Sequence, residues 1–71
     1  MEHSSVTSSM LSSIGYDKDE EILEIKFANG SLYRYEGVPP NEYYDLIQAD
    51  SVGKHFTQHV KNAGYPYEKV G

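Results

Sequence analysis

Residues 22–28 alternate: Leu23, Ile25 and Phe27 are apolar, and Glu24 and Lys26 between them are charged. A period of two sends the apolar set to one face of a strand and the charged set to the other, so the stretch predicts a half-buried strand. Upstream, Met10, Ile14 and Tyr16 share parity within the serine-rich segment Val6–Tyr16, which predicts a strand with one buried face. The run Asp17–Glu21 is polar throughout and reads as the turn between them. Met1–Ser5 reads as a frayed, flexible tail.

A second apolar alternation, Tyr33 and Tyr35 around Arg34, follows Ala28-Asn29-Gly30. The turn type decides where the tyrosines point. A two-residue Asn-Gly loop opposes Ile25 to Arg34 and Leu23 to Glu36. A three-residue loop with Gly30 left-handed in a bulge instead opposes Ile25 to Tyr33, Leu23 to Tyr35 and Glu24 to Arg34. A slip of one residue flips every side chain, and burial favours the bulged loop. Both tyrosines then share the apolar face with Leu23, Ile25 and Phe27.

Gly37-Val38-Pro39-Pro40 ends this strand, and proline suits the first turn of a helix. A helix from about Pro40 to Ala49 carries Tyr43, Leu46 and Ile47 at helical spacing, with Glu42 near its positive end. Ser51 is an N-cap for a second helix, on which Val52, Phe56, Val60 and Ala63 form one stripe. Gly64 supplies its stop. Tyr65–Val70 is extended, and Pro66 confines it to an edge strand or arm. The order predicts an α+β fold: a small antiparallel sheet of three strands plus a short C-terminal edge strand, with two helices packed on one face. Residues 6–71 form one domain behind the tail 1–5.

The chain has 71 residues, seven tyrosines, two phenylalanines and no cysteine. A core this small without disulfides or thiolate metal sites relies on dense aromatic packing or self-association, so a homodimer is an expected state. No apolar run approaches a membrane span and no secretory leader is visible, which reads as a soluble, cytoplasmic protein without a membrane partner. Net charge is −5, unevenly spread. Residues 1–50 hold ten carboxylates against Lys18, Lys26 and Arg34, and residues 51–71 hold Lys54, Lys61 and Lys69 against Glu68. The first balance of −7 opposes non-specific nucleic-acid binding, whereas the second, +2, permits a small basic patch.

Candidate chemistry is sparse. Ser51-Val52-Gly53-Lys54-His55 opens a helix whose free N–H groups, with Lys54 and His55 beside them, have the makings of an anion site; Gly53 permits close backbone approach. His55 and His59 are one turn apart, but the glutamate of an HExxH motif and a third ligand are missing, so no metal or other cofactor is expected. The carboxylates of the 17–21 turn are solvated, which does not split their pKa values for acid–base work. The serines at 8, 9, 12 and 13 have no histidine that the sequence assigns to them; Ser8 and Ser9 are expected to bond backbone at a strand start. No nucleophile–base pair is assignable, and no enzymatic activity is expected.

Ser8-Ser9-x-Leu11, Ile14-Gly15-Tyr16-Asp17, Leu23-x-Ile25-x-Phe27-x-x-Gly30, Tyr33-x-Tyr35, Gly37-Val38-Pro39, Tyr43-x-x-Leu46, Ala49-x-Ser51-x-Gly53-x-x-Phe56 and Tyr65-x-Tyr67 follow one another in order. Over about Val6 to Val70 the chain resembles the KTSC domain, a small domain named for the C-terminus of some lysyl-tRNA synthetases and also found as stand-alone bacterial and phage proteins. The resemblance implies RNA binding through the synthetase attachment and the central Tyr-x-Tyr, and it carries over no catalytic residue. Many members are basic around the last helix and the C-terminal arm; this chain departs in being acidic overall, at a net charge of −5. The expected function is a non-catalytic module for RNA or a nucleotide, using Arg34, Gly53, Lys54, His55, Lys61, Tyr65, Tyr67 and Lys69. The rival expectation is a small acidic protein-interaction or inhibitory module of phage type, binding a host protein or sequestering a small ligand.

Overall fold

The computed structural model describes residues 2–71. Five strands form one antiparallel meander in chain order: β1 (His3–Ser5), β2 (Leu11–Asp17), β3 (Ile22–Phe27), β4 (Leu32–Glu36) and β5 (Tyr67–Lys69). Between β4 and β5 run α1 (Pro40–Ile47), α2 (Val52–His59) and a 3₁₀ turn over Lys61–Ala63. The expected α+β layering holds, with one strand more than the pattern showed. The supposed tail supplies it: β1 pairs with β2, His3 opposite Gly15 and Ser5 opposite Ser13. No apolar alternation marks β1, because it lies at the sheet edge and two of its three residues are exposed. Residue 1 of the supposed tail lies outside the described residues.

The β3–β4 hairpin has the register that burial selects. Leu23 faces Tyr35, Glu24 faces Arg34 and Ile25 faces Tyr33. The Phe27 N–H donates to the Ser31 carbonyl at 2.8 Å, and Gly30 sits at φ +93°, where a side chain is strained. The β2–β3 turn is an Asx turn: Asp17 Oδ1 accepts from the N–H groups of Asp19 (3.0 Å) and Glu20 (3.2 Å).

β2 departs from the parity reading. It starts at Leu11, and the pairing slips between Leu11 and Ser13, leaving Ser12 as the extra residue of a bulge. Leu11 and Ile14, three apart, are therefore both buried, and Met10 is pushed to the surface. Ser8 caps the approach, its Oγ accepting from the N–H groups of Met10 and Leu11.

The core lies between the sheet and the helices. Leu11, Ile14, Leu23, Ile25 and Tyr35 on the sheet meet Val38, Leu46, Val52, Phe56 and Val60. Ser51 caps α2 as expected, its Oγ accepting from the Lys54 N–H at 3.4 Å. The apolar stripe ends one turn early: α2 stops at His59 and Ala63 is exposed in the 3₁₀ turn, which Gly64 closes at φ +85°. α1 likewise stops at Ile47, which keeps a third of its surface exposed. Among the described residues no helix is long and apolar enough to cross a membrane.

Candidate binding cleft

Side chains of one parity on β3, β4 and β5 face α2, and most of them are aromatic. Antiparallel pairing places Tyr67 opposite Tyr35, and Lys69 opposite Tyr33. The rings close into a circuit. Tyr67 meets Tyr33 (centroids 6.0 Å apart), Tyr33 meets Phe27 edge-on (5.3 Å), and Phe27 meets Phe56 (5.6 Å). Phe56 meets Tyr35 (5.5 Å), and Tyr35 returns to Tyr67 (5.5 Å). Edge-to-face pairs of this kind add about 0.5–1.5 kcal/mol each to their area burial. Exposure grades around the circuit: Phe56 is buried, Tyr35 is 5 % exposed, Phe27 and Tyr33 are half-buried, and Tyr67 is 64 % exposed.

The circuit lines a cleft of about 530 Å³ between the sheet and the C-terminal half of α2. That volume lies within the range of small-molecule sites, about 300–1,000 Å³. Its polar lining is Asn29, Ser31, Thr57, Lys61 and Asn62, with no carboxylate among the described residues. Asn29 Oδ1 accepts from the Ser31 N–H at 2.9 Å, which leaves its amide NH₂ available to a ligand. Burial, followed by the neighbouring Tyr67 and Tyr33, pushes the Tyr35 hydroxyl above its ordinary value, so it stays a neutral phenol.

Of the residues the sequence singled out, the cleft takes Lys61 and Tyr67, and Lys69 stands beside it on the same sheet face. Tyr65 goes elsewhere. It is half-buried against the core, and burial followed by the Glu42 charge raises its hydroxyl pKa. Tyr65 and Tyr67 are therefore not one platform.

Of the anion site expected at the start of α2, Ser51, Gly53 and Lys54 line one concavity, and His55 lies apart from it. Gly53 is buried, and a Cβ there meets Ser8 Oγ at 3.1 Å, so the missing side chain serves packing against the 7–10 segment. The concavity containing Lys54 also holds Asp50. His55 turns to α1, with Nε2 3.6 Å from Glu42 Oε1, too far for a hydrogen bond. His59 is exposed and stacks on His55 at 4.4 Å. No three His, Asp or Glu side chains among the described residues are placed to share a metal ion.

Arg34 belongs to the other sheet face, away from the cleft. Its Nη2 and Nε donate to Glu24 Oε2 at 2.9 and 3.3 Å. Glu24 is 7 % exposed although no helix covers it. The second cover is His3, whose Nε2 lies 2.6 Å from Glu24 Oε1 while its Nδ1 lies 2.8 Å from Ser13 Oγ. Burial raises the Glu24 pKa, but hydrogen bonds from His3 and Arg34, with the Arg34 charge, outweigh it and hold the carboxyl below its ordinary value. Sequence reasoning missed this cluster. Its one visible signal is Glu24 opposite Arg34; His3 was assigned to a tail, and nothing local ties it to residue 24.

Comparison with known proteins agrees with this architecture. The KTSC domain profile matches residues 7–65. An uncharacterized protein of Stutzerimonas stutzeri is 46 % identical over 70 residues, covering 99 % of each chain. A lysine–tRNA ligase of Nostoc punctiforme is 38 % identical over 53 residues, covering 75 % of this chain and 9 % of that one. The crystal structure of a KTSC domain protein from Yersinia pestis superposes with a TM-score of 0.91 at 37 % identity, over 99 % of this chain and 97 % of that one. With the profile spanning most of the sheet and both helices, this chain belongs to the KTSC domain family.

Proposed function

We propose that the protein is a binding module that takes an unstacked base of single-stranded RNA, or a free nucleotide, into the aromatic cleft. The observation that carries the reading is the lining. An aromatic circuit ends in an exposed Tyr67 beside Lys61, and no carboxylate of the described residues enters the cleft in a chain of net charge −5. A base stacks on Tyr67 and Tyr33, a contact worth about 1–3 kcal/mol per base. Lys61 and Lys69 meet phosphate. The similarity to part of a lysine–tRNA ligase, an enzyme that handles RNA, supports the same reading.

Filter binding of a short single-stranded RNA across a salt series tests it. One to three phosphate contacts give a log–log salt slope of about −0.7 to −2. Tyr67→Ala weakens binding about tenfold or more if stacking contributes as stated. Absent binding at low salt, a flat salt response, or full affinity in Tyr67→Ala overturns the reading.

A second reading has its own observation. Tyr44 and Ile47 are exposed on α1, and Tyr43 and Tyr44 line a concavity with Asp17 and Lys18 of the turn that continues into Asp19, Glu20 and Glu21. An apolar patch beside carboxylates suits a basic protein partner. A pull-down from bacterial lysate that returns a stoichiometric protein, lost in Tyr44→Ala, favours this surface over the cleft.

A further inference from the structure

Five directly opposed residues cross the outer face of the sheet: His3 on β1, Gly15 on β2, Glu24 on β3, Arg34 on β4 and Glu68 on β5. Gly15 has no side chain, so the His3 imidazole reaches over β2 to the Glu24 carboxylate two strands away. This contact fixes the ring. A carboxylate only accepts hydrogen bonds, so the proton in the 2.6 Å contact sits on His3 Nε2. In the neutral ring Nδ1 then carries a lone pair. That lone pair faces Ser13 Oγ at 2.8 Å, and the hydroxyl therefore donates to it. Arg34 holds the far oxygen of Glu24 by two N–H groups and keeps the carboxylate aligned. Ser13 follows the extra residue of the β2 bulge, a device that re-aims side chains, and it is half-buried on a face that neither helix covers. A hydroxyl bonded to a base, which is itself oriented by an acid, is the signature of an activated nucleophile.

We propose that Ser13 is an activated hydroxyl at which this chain accepts an acyl group from an activated ester, with His3 as the base. Glu24 and Arg34 are positioning residues. In the step, a Ser13 Oγ lone pair forms the bond to the acyl carbon, and the hydroxyl proton passes to His3 Nδ1. The ester C–O bond then breaks, the leaving oxygen takes its electron pair, and the imidazolium returns the proton to solvent or to that oxygen. The product is a serine ester, one per chain. Ser13 lies on the sheet face opposite the cleft, and its reaction does not depend on what the cleft binds.

The test uses the full chain and p-nitrophenyl acetate, with p-nitrophenolate release followed by absorbance and the acetylated residue located by fragment mass spectrometry. Ser12, adjacent in sequence but without a histidine contact, is the internal control. Ser13 is expected to acetylate at least about a hundredfold faster than Ser12, the lower end of what a positioned base contributes. His3→Gln, a change on a three-residue edge strand, lowers the Ser13 rate by about the same factor while circular dichroism is unchanged. Glu24→Gln, which offers an NH₂ to the ring, is expected to move the imidazole proton from Nε2 to Nδ1 in ¹⁵N spectra and to remove Ser13 reactivity. Equal acetylation of Ser12 and Ser13, a wild-type Ser13 rate in His3→Gln, or a wild-type imidazole carrying its proton on Nδ1 overturns the proposal.

Discussion

Under Phe56 and opposite Tyr67, Tyr35 keeps 5 % of its surface; Tyr33, two residues earlier on the same face, is half-buried at the cleft wall. The difference predicts unequal costs. Tyr35→Ala empties a core position and is expected to lose about 3–5 kcal/mol in urea unfolding. Tyr67→Ala, largely exposed, is expected to lose about 1 kcal/mol or less while affecting ligand binding. Glu24 supplies a pH-dependent case. Its carboxyl is held below its ordinary value of 4.5, so the folded state binds its proton less readily than the unfolded chain does. The stabilisation is present in full above that value and is lost as pH falls through the lower, folded one. Glu24→Gln is expected to cost about 1–3 kcal/mol at neutral pH, since it weakens charged hydrogen bonds to a buried group. The gap from wild type closes as pH falls below the ordinary value of 4.5 and through the lower, folded one. Unfolding curves for both chains that keep a constant gap from pH 7 to pH 3 contradict this account.

Two elements depend on single devices. The β3–β4 hairpin turns on Gly30 at φ +93° with open space around it, so strain rather than a clash opposes replacement. Gly30→Ala is expected to cost about 1 kcal/mol or more in thermal unfolding without altering the fold. β1 is held by a three-residue ladder and by His3 on Glu24 and Ser13. Removing residues 2–5 leaves the β2 edge unpaired and Glu24 half uncovered. Such a chain is expected to self-associate through that edge, and sedimentation at micromolar concentration reads the result. The helices were more legible than this strand. Ser51, the proline pair and the Val52–Phe56–Val60 stripe each act within one turn or two, so local chemistry announces them. β1 owes its place to contacts ten and twenty-one residues away, which no window of the sequence displays.

At the scale of the molecule, net charge is a poor guide to local field. The Asp17–Glu21 turn lies at one end of the β2–β3 hairpin, and the Asn29–Gly30 turn with the cleft lies at the other. The molecule spans 27 × 25 × 22 Å, more than twice the Debye length of about 8–10 Å at ordinary salt. The acidic turn is thus screened from Lys61. Asp19→Lys with Glu20→Lys takes the net charge from −5 to −1, yet is expected to change RNA affinity at 0.15 M salt by less than about threefold. Lys61→Glu, a smaller change in net charge, is expected to weaken binding by about tenfold or more through the phosphate it repels. Filter binding with the three chains side by side decides between local and global charge.

By itself the sequence determined the layer architecture, the hairpin register and the Ser51 cap of α2. Each rests on a period of two, a period near 3.6, or a turn residue acting on its neighbours. It also determined that Tyr33 and Tyr35 share the helix-facing side, because a slip of one residue opposes Arg34 to Ile25 and Glu36 to Leu23. Only the tertiary structure decided which aromatic rings meet. It placed Tyr67 and Lys61 in one cleft while sending Tyr65 toward Glu42 and Arg34 to the opposite face. It alone brought His3 over Gly15 to Glu24 and Ser13. The reason is reach: a pattern reports which face a side chain takes, and partners on separate strands are chosen only when the whole sheet is assembled.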